Sequence, residues 1–164
     1  MHKHLPLLVA CLSLTGCDAT VTPGDLPPYF RAHLESNDLS FDIDGKAHLI
    51  GQGGPMWGIF AAAPPDGWDV AVMLSGQQTA RRLTITEDDT SGLGVLVSYQ
   101  YPAGPNPGPF VMQMAQSGVI ELVSMGNERG DYIEGTFDDV IADDEEHGVH
   151  TVLTEGAFRV QVRY

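Results

Sequence analysis

From residue 29 onward apolar side chains recur at every second position, the period of a strand with one face toward a core. Phe30, Ala32 and Leu34 alternate with Arg31, His33 and Glu35, and Leu39, Phe41 and Ile43 alternate with Ser40, Asp42 and Asp44. Asp44-Gly45 then reads as a tight hairpin turn, with Lys46 to Ile50 as the returning strand. Trp57 to Ala63 is apolar throughout, and Trp68, Val70, Val72 and Leu74 alternate again. Further runs follow at Arg82 to Thr86, at Leu93 to Tyr101, and at Phe110, Met112 and Met114 beyond a loop rich in Pro and Gly at 102–109. Val119 to Ser124 and Asp131 to Ile141 flank a turn by composition, Gly126 to Gly130. Thr154-Glu155-Gly156 reads as a three-residue hairpin loop between Val149–Leu153 and Phe158–Tyr164. The last run places Phe158, Val160, Val162 and Tyr164 on a core face and Arg159, Gln161 and Arg163 toward solvent.

No stretch keeps apolar residues at three- and four-residue spacing long enough for a helix, beyond a turn near 76–82 or 142–147. The expected fold is therefore all-β, with about nine to eleven strands mostly joined as hairpins. One apolar face per strand demands a second layer, so the strands predict an antiparallel β-sandwich or a flattened barrel. The 19 Gly and 11 Pro suit many short strands and turns. An apolar share of 43% argues against wholesale disorder. The net charge of −14 excludes an ordinary nucleic-acid binder, which needs a basic face to displace counterions.

The N-terminus carries a different signal. A short basic start, Met1 to Lys3, precedes the apolar run Leu5 to Thr15, which is too short to span a bilayer as a helix. The run ends in Leu14-Thr15-Gly16-Cys17. This resembles the lipobox of bacterial lipoproteins, in which the Cys is lipidated and the preceding peptide removed. The resemblance implies a signal peptide at 1–16, a lipidated Cys17 opening a flexible tether at 17–28, and one β-domain at 29–164. Cys11 and Cys17 are the two cysteines, so the mature chain would hold one thiol, and lipidation accounts for it. The resemblance also implies a membrane partner through the lipid and a place in the cell envelope, on the inner or outer membrane. Asp18 resembles the residue that favours inner-membrane retention.

Four further segments resemble a group of bacterial envelope lipoproteins of unknown function. They are Ser40 to Lys46, Gly118-Val-Ile-Glu-Leu122, Ile133-Glu-Gly135-Thr136-Phe137 and Glu155-Gly156-Ala-Phe158-Arg-Val160. That likeness implies a β-domain and no particular activity.

Candidate chemistry is sparse. Asp138, Asp139, Asp143, Asp144, Glu145 and Glu146 form the densest acidic run and make a candidate calcium site, against the alternative of a solvated loop. Asp42-x-Asp44-Gly45 resembles a fragment of an EF-hand loop, but Gly51 stands where the bidentate Glu belongs. His147 and His150 would bind zinc if their rings converged, yet an odd separation on a strand sends them to opposite faces. No metalloprotease, hydrolase-elbow or phosphate-loop motif is present. Trp57, Trp68, Tyr99, Tyr101 and Phe110 border Pro- and Gly-rich loops and are candidate binding residues, against the alternative that they fill the ends of the core. The expected function is a membrane-tethered, non-enzymatic binding or structural module without a cofactor. The alternatives are an envelope hydrolase, or an inhibitor or immunity-type lipoprotein that blocks a basic partner protein.

Overall fold

Eleven strands form two antiparallel sheets packed face to face, a β-sandwich. The structure is a computed structural model that describes residues 26–51, 55–61, 67–76, 79, 81–88, 93–103 and 106–163, with the backbone alone at 101–103 and 106–109. Among the described residues there is no helix.

The strands are β1 (Tyr29–Ser36), β2 (Leu39–Gly45), β3 (Ala47–Ile50), β4 (Met56–Ala61), β5 (Trp68–Ser75), β6 (Arg82–Thr86), β7 (Gly94–Ala103), β8 (Asn106–Met114), β9 (Ser117–Met125), β10 (Tyr132–Asp144) and β11 (Val149–Gln161). A six-stranded sheet has the order β2-β1-β11-β10-β9-β6, and a five-stranded sheet has the order β3-β4-β5-β7-β8. Phe30, Leu34, Ile120, Ile133, Phe137, Leu153 and Phe158 from the first meet Ile59, Val70, Val72, Leu74 and Val95 from the second, all fully buried. This is the apolar burial that opposes the entropy cost of ordering the chain.

Two expected hairpins are absent. Asp44-Gly45 does not turn β2 back on itself: β2 pairs with β1 and β3 pairs with β4, so the chain crosses between sheets there. The β1–β2 hairpin instead turns at Asn37-Asp38, where Asn37 takes a φ of 48°, a conformation Asn tolerates better than most residues. Thr154-Glu155-Gly156 is no loop either, because β11 runs unbroken through it.

What happens at Glu155 sets the rest of that sheet. Glu155 (φ 53°) and Asp139 (φ 52°) both take left-handed backbone on neighbouring strands. Pairing of Phe137 with Gly156 and of Val140 with Leu153 keeps one register across the interruption. The register shifts here only against the outer neighbours, β11 against β1 and β10 against β9, and β10 shifts against β9 once more between Glu134 and Gly135. The pair of bulges inverts the inward phase of both strands. Ile133, Gly135 and Phe137 face the core before the bulge in β10, and Val140, Ala142 and Asp144 face it afterwards. In β11 the inward set changes from Thr151 and Leu153 to Gly156, Phe158 and Val160. Gly156 has no alternative here, since a Cβ would collide with the ring of Phe137.

Candidate functional site

The inverted phase decides the fate of the acidic run. After the bulge, Asp144 points into the sandwich and is 5% exposed. Its Oδ2 accepts a hydrogen bond of 2.5 Å from the Tyr99 hydroxyl on the opposite sheet and one of 2.7 Å from His147 Nδ1, while Oδ1 accepts the His147 backbone N–H at 3.1 Å. The Tyr99 hydroxyl first, and then His147, hold the Asp144 carboxyl below the usual carboxylate range, outweighing its desolvation. A carboxylate so engaged is a weak base and a closed one, suited to joining the sheets rather than to moving protons.

Asp143, one residue earlier, faces outward and pairs with His150. Asp138 accepts the Glu155 backbone N–H at 3.2 Å, and Asp139, Glu145 and Glu146 are exposed. The six carboxylates of the proposed calcium site are therefore distributed over different faces, and His147 and His150 each serve a different Asp. Among the described residues no group of three or more His, Cys, Asp or Glu side chains is arranged to hold a metal ion. Asp42 and Asp44 lie along β2, where Asp42 pairs with His33.

The aromatic candidates divide. Trp57, Trp68 and Tyr99 are core residues: Trp68 stacks on Tyr99 with ring centroids 5.0 Å apart, and Phe41 meets Trp68 edge-on at 6.2 Å. Tyr101 lies in β7, its side chain outside the description. Phe110, on β8, is 55% exposed. Cys17 and the rest of the lipobox lie outside the described residues.

Two polar clusters on the six-stranded sheet escape sequence reading. His33 Nδ1 donates to Asp42 Oδ1 at 2.7 Å, with Glu35 3.4 Å from Nε2 and Ser40 Oγ 3.3 Å from it. The Asp42 hydrogen bond, helped by Glu35, raises the His33 pKa above its ordinary value. His33 and Asp42 line a shallow cleft of about 360 Å³ with Arg31, Asp44 and Glu155.

Arg159 corrects an expectation. It sits on the outward face of β11, yet it is only 2% exposed. Its guanidinium lies 4.0 Å from the centre of the Tyr132 ring and donates to Glu134 at 3.2 Å. Tyr29 stands opposite Arg159 in register. Burial, with the Glu134 carboxylate beside it, raises the Tyr29 pKa. The apolar stem and the flat cation are thus covered by neighbours on β1 and β10.

The outward face of the five-stranded sheet is the largest departure from the expected polar exterior. Alternation and register place Ile50, Phe60, Ala71, Met73, Leu96, Phe110, Met112 and Met114 on it. Ile50 is 59% and Met112 71% exposed, and Phe60, Met73, Leu96 and Met114 are half-buried. The Phe60 ring settles over Gly58, where a Cβ would stand 2.5 Å from it and 3.3 Å from the Met73 sulfur. The strands of this sheet contain no Lys or Arg; their charges are Asp69 and, when protonated, His48. The signal was present in the chain: Trp57 to Ala61 and Val70 to Leu74 are apolar at both parities, so each has an apolar face to spare once the core is filled.

No protein-family model, curated protein or solved structure matches this chain.

Proposed function

We propose that the chain is a lipid-anchored, non-enzymatic binding module of a bacterial envelope, held through Cys17 and presenting the outward face of its five-stranded sheet to a protein partner. The observation that carries the binding role is that apolar, methionine-bearing face, a kind of surface that adapts to partners through flexible side chains. The anchoring role is supported by the Leu14-Thr15-Gly16-Cys17 motif. Two or more acyl chains hold a protein stably at a bilayer, where one alone does so only marginally.

Detergent phase partition tests the anchor. The wild-type chain expressed in a bacterium enters the detergent phase and takes up labelled palmitate, and Cys17→Ser does neither. A Cys17→Ser protein that still partitions into detergent and carries label overturns the anchor.

A further inference from the structure

We infer that β8, the edge strand beside this face, receives an extended segment of a partner protein with alternating basic and apolar residues, added as a further strand. The inference rests on reading the chain as a binding module and names the partner's chemistry.

Among the described residues no strand pairs with the outer side of β8, whose other side is taken by β7. An edge strand offers unpaired N–H and C=O groups to any chain that lies along it, and proteins commonly guard such edges with charge, Pro or short length. Pro107 and Pro109 guard the first half of β8, whereas Phe110-Val111-Met112-Gln113-Met114 has neither Pro nor charge. The other edges differ. β6 carries Arg82, paired with Glu121; β2 carries Asp42 and Asp44; β3 has four residues. Phe110 and Met112 extend the apolar outward face to this border. An added strand would lay alternate apolar side chains beside them.

Charge selects the partner. The strands of the five-stranded sheet hold no Lys or Arg, and the whole chain carries −14. On so acidic a chain, Lys or Arg is favoured at the intervening positions of an added strand, which alternate with its apolar ones. A second copy of this chain would instead bring like charge against like charge.

The test uses the intact chain in detergent micelles and a labelled synthetic peptide of about seven residues alternating Lys and Val, a usual strand length. A peptide with Glu in place of Lys is the control. The Lys peptide is expected to bind about ten-fold or more tightly than the Glu peptide, with affinity falling as salt rises. Binding slows hydrogen exchange of backbone amides within Phe110–Met114. Met112→Lys weakens it about ten-fold, and Val123→Lys, exposed on the outward face of the other sheet, leaves it unchanged. Equal binding of the Glu peptide overturns the inference, as does exchange that stays fast in β8. So does a dimer of the free protein that Met112→Lys dissociates, since that assigns the edge to a second copy. Any of these outcomes leaves the anchoring test by Cys17→Ser standing on its own.

Discussion

The Tyr99 hydroxyl and the Asp144 carboxylate meet at 2.5 Å across the sandwich, one from each sheet. They form a buried polar link between the two layers, and the Trp68 ring stacks on Tyr99 beside it. A buried carboxylate that loses a donor is left partly unsatisfied, which costs more than the hydrogen bond alone is worth.

Tyr99→Phe removes that donor and keeps the ring that stacks on Trp68. The variant is expected to be less stable at neutral pH. The folded-state pKa of Asp144 is depressed, so its stabilisation is present above about pH 4 and disappears as pH falls through the folded value. The stability gap between wild type and Tyr99→Phe should therefore narrow as the pH drops below about 4. Urea melts at neutral and acid pH check this; a gap independent of pH would show that Asp144 does not feel Tyr99.

His33 behaves in the opposite sense. Its pKa is raised, chiefly by Asp42, so the contribution is fully present below about pH 6.5 and is lost as pH rises through the higher folded value. The His33 ring protons, followed by NMR, should titrate above 6.5 in the wild type, and Asp42→Asn should bring the midpoint back toward the ordinary value. An unchanged midpoint in the variant would mean that the pair is not formed in solution.

Arg159 and Gln161 share the outward face of β11, and only one of them should matter. Arg159→Ala removes a buried stem, the Tyr132 contact and the partner of Glu134, and should cost about 1–3 kcal/mol, a cost kept modest because water can reach Glu134. Gln161→Ala, at the half-buried end of the strand, should change stability by about 0.5 kcal/mol. Thermal melts of both variants check the contrast, and equal effects would remove Arg159 from its buried position.

Much of the architecture was legible along the chain. Period-two alternation identified the strands, and the turn at Gly126 to Gly130 correctly separated β9 from β10. What escaped was partner choice. Asp44-Gly45 has the composition of a hairpin turn, but β2 finds more to pair with on β1 than on the strand that follows it. The acidic run read as one loop because its members are neighbours in sequence; most of it belongs to a strand, where neighbours face apart.

The sequence by itself determined the fold class, the inward run of Val70, Val72 and Leu74 and the absence of common catalytic motifs, because these depend on local spacing alone. It also carries the lipobox resemblance whole, since four adjacent residues make it. Only the tertiary structure decided which side chains of β10 and β11 face inward beyond the bulge. Left-handed backbone at Asp139 and Glu155 inverts the phase of both strands together, and nothing in the alternation announces it. That inversion sends Asp144 to Tyr99 and leaves Asp143 outside. Only the pairing order made β8 an edge among the described residues, because an edge is defined by the strand that is not beside it.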